Sequence, residues 1–275
     1  MPATPSIASC HLNDTRSLWV EPAQAGRSDL CLIVLDGELY RDRVKAPKIV
    51  QHWQQEQHLP ATTVYVSHKD SAARHADYIC SEAYAHFVAH ELLPWIAENV
   101  GLHERFFLVG LSLSGLAAIH TALRFPGVFS GVLAQSPSAW WNEEWLTGSL
   151  ARTTTIPQRF WISVGTRETQ TDIHHAPSGM HQKVSQLDSV RRLREALQNA
   201  GHEVLPAEFD GGHDPARWAE ELSPALTWLV RDEAAEQIRV AESRSAELRS
   251  GAVEGVGVED AVQRARELLT NLETK

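Results

Sequence analysis

Short runs of consecutive apolar residues alternate along this chain with longer stretches in which apolar positions recur every three or four residues. That rhythm predicts buried strands alternating with amphipathic helices. Leu30 to Leu35 (Leu-Cys-Leu-Ile-Val-Leu), Thr62 to Ser67, the segment from Phe106, Phe129 to Ala134, Arg159 to Val164 and Glu203 to Phe209 read as strands. An unbroken apolar run such as Leu30 to Leu35 suits a strand covered on both faces. Ile49 to Gln57, Glu82 to about Val100 (interrupted by Pro94), the segment from Ser112 to Phe125, Leu187 to Ala200 and Pro215 to Val230 read as helices, with Pro126-Gly127 and Gly201 as stops. Ser6 to Leu12 and Arg16 to Glu21, around Asn13-Asp14, predict a hairpin at a sheet edge. Thr169 to Lys183 is polar and reads as an inserted loop. The expected architecture is α/β, a mostly parallel sheet with helices on both faces.

Beyond Arg231 the composition shifts to Ala, Glu and Arg. A helix to about Ser250, a Gly-rich link and a second helix are expected, the latter with Val258, Ala261, Val262, Ala265, Leu268, Leu269 and Leu272 on one face. The chain therefore divides into residues 1–230, an α/β domain, and 231–275, a helical appendage. Its apolar face is expected to fold back on the domain or to pair two copies as a homodimer. A formal charge of −10 without a basic stripe argues against nucleic acid as a partner. The opening residues Met-Pro-Ala-Thr-Pro-Ser carry no export signature, and no membrane span is evident, so a cytoplasmic location is expected. Cys10, Cys31 and Cys80 are far apart and form no C-x-x-C pair, which suits reduced thiols, with Cys31 in the core.

The chemistry centres on Phe106 to Ala118, where a strand runs without a gap into a helix with Ser112 at the turn. A serine hydroxyl becomes a useful nucleophile on such an elbow, because its oxygen is exposed and the first helix amides face the reacting carbonyl. Gly110 gives the elbow room. The usual pattern is G-x-S-x-G; here Ser114 holds the last position, with Gly115 behind it. Ser114 is the poorer nucleophile, being flanked two residues away by Ser112 and Leu116.

A serine needs a base within reach and an acid that orients the base. His213 is the best base of the fourteen histidines, since it follows a strand in a Gly-Gly-His turn and comes late in the chain. Glu168, closing the Arg159 strand in Gly-Thr-Arg-Glu, leads as the acid, with Asp172 and Asp188 as alternatives. Oxyanion amides are expected from Leu113 and from Gly37 or Glu38, the latter pair in the loop after the first buried strand.

In chain order, Leu35-Asp36-Gly37, Arg74-x-x-Asp77-Tyr78, Glu91-Leu92-Leu93-Pro94-Trp95, Gly110-x-Ser112, Gln135-Ser136-x-Ser138-x-Trp140-Trp141, Gly165-x-Arg167-Glu168 and Gly211-Gly212-His213-Asp214 form a specific set. From about Ser17 to Val230 the chain resembles the putative esterase family of α/β-hydrolases, most closely its enterochelin (enterobactin) esterase-like branch. The resemblance implies an α/β-hydrolase fold, Ser112 as nucleophile, Glu168 as acid, His213 as base, and Glu38 with Leu113 as oxyanion amides. It implies hydrolysis of a small-molecule carboxylic ester, siderophore or aryl, with no metal or organic cofactor. Departures are Ser114 for a common glycine, Asp77 where glutamate is frequent, a longer 169–183 loop, and no counterpart of the larger esterases' amino-terminal domain.

Arg41, Arg43, Arg74 and Arg167 lie near the expected site loops and suit an anionic substrate. Trp140, Trp141 and Trp218 are candidates to line an acyl or aryl pocket, Trp141 first among the motif's pair. His86 and His90 share a helix face but lack a zincin's glutamate and read as packing or surface. His174, His175 and His181 are metal-ligand types that would serve only if their loop is ordered. Two rivals stand beside the esterase: an acyltransferase on the same triad, and a non-catalytic member whose pocket or tail binds a partner.

Overall fold

The computed structural model describes residues 4–23, 28–150 and 156–231. Contacts divide the chain into Met1–Leu229 and Val230–Lys275. The helices expected beyond Arg231, with their apolar face, lie outside the described residues.

In the first unit, β1 (Ser6–Ser9), β2 (Asp14–Glu21), β3 (Leu30–Val34), β4 (Thr62–Val66), β5 (Arg105–Leu111), β6 (Gly131–Gln135), β7 (Arg159–Gly165) and β10 (Glu203–Phe209) form one sheet. Its order is β1-β2-β4-β3-β5-β6-β7-β10. β1 and β2 run antiparallel to their neighbours, and every pair from β4 across to β10 is parallel. The expected edge hairpin forms, with Asn13 turning at a φ of 49° and Asp14 already in β2. Central strands β3, β4 and β6 are buried at every position, as the unbroken apolar run of β3 requires. Each large apolar side chain sealed there contributes about 1.5–3 kcal/mol. Edge strand β10 instead alternates intermediate and exposed positions.

Two segments differ from the sequence reading. Glu82 to Val100 is helical without a break: a wider π-helical turn, Phe87–Leu92, leads directly into Leu93–Asn99. Pro94 has no N–H to donate, and widening the turn before it lets the helix pass the ring. The 169–183 stretch folds into a two-stranded antiparallel hairpin, β8 (Ile173–His175) with β9 (Met180–Gln182). Its alternation was hidden by histidines, which are neither clearly apolar nor clearly polar.

The parallel strands all point their carboxyl ends the same way. Ser112 after β5, Ser136 after β6, Glu168 after β7 and His213 after β10 therefore gather along one edge of the sheet, where open α/β sheets place ligands.

Candidate active site

β5 passes into the helix Ser112–Arg124 with no intervening residue, and Ser112 takes the turn at a φ of 53°. A left-handed backbone at a non-glycine residue costs about 1–3 kcal/mol and persists only where its surroundings hold it. Gly110 is one such support: a Cβ there would stand 2.2 Å from the Ser114 carbonyl oxygen. Ser114 is another. Fully buried, its hydroxyl donates to the Leu111 carbonyl at 2.8 Å and accepts from the Leu111 amide at 2.9 Å. The residue that breaks the usual motif thus clamps the elbow. Ser112 Oγ lies 3.4 Å from Ser138 Oγ, and the Ser112 carbonyl accepts from the Ser138 amide at 3.0 Å.

The loops that carry Glu168 and His213 are joined through backbone. Thr166 N donates to Phe209 O and Arg167 N to Gly211 O, both at 2.9 Å. They pass so closely that a Cβ on Gly165 would lie 2.4 Å from the Gly211 carbonyl oxygen. On this support Glu168, 8% exposed, accepts from His213 Nδ1 at 2.7 Å through Oε2, and from Ser136 Oγ at 2.6 Å and Gly165 N at 2.9 Å through Oε1. An ionised carboxylate has no proton to give, so it holds His213 in the tautomer protonated at Nδ1 and leaves Nε2 as the acceptor. Trp218 meets the imidazole edge-on, ring centroids 4.8 Å apart, and its indole N–H donates to Ser136 Oγ at 3.2 Å. The alternative acids are engaged elsewhere: Asp172 with His181 at 2.6 Å, Asp188 with the Ser185 hydroxyl at 2.7 Å.

Ser112 and His213 line two cavities. One, of about 480 Å³, is bounded also by Leu39, Arg43, His68, Arg74 and Trp218. The other, of about 440 Å³, is bounded by Ser138, Trp140, Arg167, Ile173, His175 and Gln186. A ligand at the serine would find room on both sides of it.

After β3, Asp36 turns at a φ of 56° and starts the short helix Gly37–Leu39, next to the expected oxyanion amide of Glu38. Gly37 is needed there, since a Cβ would lie 3.0 Å from Val66 O and 3.1 Å from the Trp19 ring. Asp36 is fully buried and forms a bidentate pair with Arg74, Nε at 2.8 Å and Nη2 at 2.6 Å, while His68 Nδ1 stands 2.9 Å away. Burial alone would raise its carboxyl, but the bonds from His68 and Arg74 prevail and hold it below the ordinary carboxylate value. The Asp36 amide donates to Tyr78 Oη at 3.1 Å, and Asp77 pairs with the buried Arg16 at 2.7 Å. The Arg74-x-x-Asp77-Tyr78 motif is thereby explained as a brace for the loop that carries Glu38.

Three substrate-binding expectations change accordingly. Arg74 borders the cavity, but its charge is taken by Asp36. Arg41 lies over the Trp19 ring at 4.6 Å, and Arg43, two residues on, borders the cavity instead. Trp141 faces a separate hollow with Met180 and His181, whereas Trp140 lines the serine cavity, stacked on His175 at 4.9 Å. Within one helical turn or one dipeptide, sequence alone could not say which member points inward. Trp218 borders the cavity as expected, behind His213. Ser136 and Gln186 were missed. Gln186 bonds the Trp140 indole N–H at 2.5 Å and the Pro137 carbonyl at 2.9 Å. The Gln135-Ser136-x-Ser138 motif was the signal for Ser136, and no motif marked Gln186. His86 and His90 pack together and against Phe125, as read from the sequence.

Removing Arg74 would leave the Asp36 charge buried with one partner fewer. Arg74→Ala is expected to cost about 3–5 kcal/mol of stability near neutral pH. A carboxyl held below its unfolded value lends stability above that value and loses it as pH falls through the folded one. The deficit of the variant should therefore narrow in acid, which denaturant titrations at pH 7 and pH 3 measure. An effect on KM alone, with stability unchanged, would restore Arg74 as a substrate ligand.

The sequence model of the family described as Putative esterase matches residues 11–229. The iron(III) enterobactin esterase of Dickeya dadantii is 30% identical over 245 residues, 80% of this chain and 52% of that protein. The chain thus spans about half the length of that relative. Among solved structures, the enterochelin esterase of Shigella flexneri superposes with a TM-score of 0.71 at 24% identity, over 82% of this chain and 57% of the other. A ferulic acid esterase superposes with a TM-score of 0.65 at 17% identity, over 83% and 97%. These likenesses establish the α/β-hydrolase type of fold.

Proposed function

The chain belongs to the putative esterase family, and from that premise we propose that it is a serine hydrolase cleaving carboxylic esters through an acyl-enzyme. One observation carries the reading: the buried Glu168 holds His213 at 2.7 Å beside a cavity that the elbow serine, Ser112, also lines. In this mechanism His213 Nε2 takes the Ser112 proton as Oγ attacks the ester carbonyl. Glu168 stabilises the imidazolium that results. The oxyanion is received by the amides of Leu113 and Glu38, the first at the start of a helix, the second in the braced loop. His213 then returns the proton to the departing alcohol, and water repeats the cycle to free the acid. No step calls for a metal or an organic cofactor.

A fluorophosphonate probe tests the reading directly. Stoichiometric labelling of Ser112, abolished by prior denaturation, is expected; a folded protein that stays unlabelled at Ser112 would sink it.

For the substrate we propose a small-molecule ester with an aryl acyl group. His175, stacked on the buried Trp140 with an interplanar angle of 8°, offers a flat wall, and Arg43 and Arg167 offer positive charge in the two cavities. The names of the relatives, esterases of iron(III) enterobactin and of iron(III) salmochelin, point the same way. Turnover of short aryl esters is expected, with Trp140→Ala raising KM for aryl more than for acetyl esters. A panel of aryl esters, feruloyl esters, and free and iron-loaded enterobactin checks both. Equal KM changes for aryl and acetyl esters would remove the stacking wall from the proposal.

A further inference from the structure

We propose that the outer face of the β8–β9 hairpin binds a divalent first-row transition-metal ion of the Zn²⁺ kind through Asp172, His174 and His181. His174 and His181 are direct partners in the ladder, so backbone hydrogen bonding fixes them side by side. Their rings stack with centroids 4.0 Å apart and planes 13° from parallel. Asp172 Oδ1 lies 2.6 Å from His181 Nε2. The donor atoms of all three residues fall within 4.8 Å of one another.

A tetrahedral ion with bonds of about 2.0–2.2 Å needs its donors about 3.3 Å apart. His174 and Asp172 are exposed and His181 partly so, which leaves the side chains free to turn that far. Two nitrogens with one carboxylate oxygen are borderline donors that suit Zn²⁺, Ni²⁺ or Cu²⁺, and do not suit Mg²⁺ or Ca²⁺, which take oxygen cages. Three protein ligands leave a position open to water.

Residues alternate across the hairpin. Ile173, His175 and Gln182 lie on the opposite face from the donors and line the serine cavity, His175 being held by Trp140 and, at 3.2 Å, by Gln182. An ion on the outer face would thus tie together the two strands whose inner face bounds the cavity. The site itself does not depend on the ester reaction.

Isothermal titration of untagged full-length protein with ZnCl₂, and with MgCl₂ as a control, tests the assignment. Saturable binding of one Zn²⁺ per chain is expected, with no Mg²⁺ binding at the same site. The double variant H174A/H181A should weaken binding by more than the roughly tenfold typical of losing an outer-shell partner, and Asp172→Asn should weaken it less. Circular dichroism confirms that both variants fold. No Zn²⁺ binding, or unchanged affinity and stoichiometry in the double variant, would overturn the site; unchanged binding in Asp172→Asn would overturn the three-donor set.

Discussion

Ser112→Ala is expected to lower kcat/KM for a short aryl ester by about four to six orders of magnitude, because residues that act as a triad fail together when the nucleophile is removed. Ser114→Ala should behave in the opposite sense. The Ser114 hydroxyl bonds Leu111, accepting from its amide and donating to its carbonyl. Its loss leaves two buried backbone groups without that partner, at a cost of about 1–3 kcal/mol. The folded fraction should keep most of its turnover, since the Ser112 oxygen and the Leu113 amide are untouched. Thermal melting and active-site titration of both variants separate the two effects. Should the alanine at 114 be inert and the alanine at 112 active, the elbow has been assigned to the wrong serine.

The same pair shows what sequence could and could not deliver. The strand, the turn and the helix were legible because a run of apolar residues, a glycine and a small-residue stretch each have one local consequence. Glu168 and His213 were legible as strand-end residues, and the structure brings their side chains within 2.7 Å. That Ser114 braces the turn was not, since a small residue in that place reads as room for the backbone and not as a hydrogen-bonding partner. The bracing role of Arg74 was illegible for a related reason. Arg74 was read as a substrate ligand, but its partner, Asp36, lies thirty-eight residues away across β4. Only the parallel pairing of β3 with β4 brings the helix Ser71–Tyr78 to the end of β3. Long-range pairing decides whether a charge is spent on the scaffold or left for a ligand, and one-dimensional spacing does not record it.

Glu168, the acid in the proposed mechanism, offers the more discriminating substitution. Glu168→Gln changes no volume to speak of, yet it changes what the side chain can accept. The Gly165 amide donates to Oε1 from a fixed backbone position, and the Ser136 hydroxyl donates to the same atom. A glutamine must therefore keep its carbonyl oxygen there and turn its NH₂ toward His213. That NH₂ can only donate, so His213 Nδ1 must become the acceptor and the imidazole proton must move to Nε2. An Nε2 that already carries a proton cannot take one from Ser112. The expected result is a fall in kcat of about three to four orders of magnitude, as triads show when their orienting acid becomes an amide. KM and melting temperature should change little, because every contact except the one to Nδ1 is preserved and that one is only reversed. The tautomer gives a readout that a mere loss of fold would not produce. In ¹⁵N spectra of the imidazole, wild type should carry its proton on Nδ1 and Glu168→Gln on Nε2. A variant with near wild-type turnover, or one whose His213 keeps its Nδ1 proton, would remove Glu168 from the role of orienting acid.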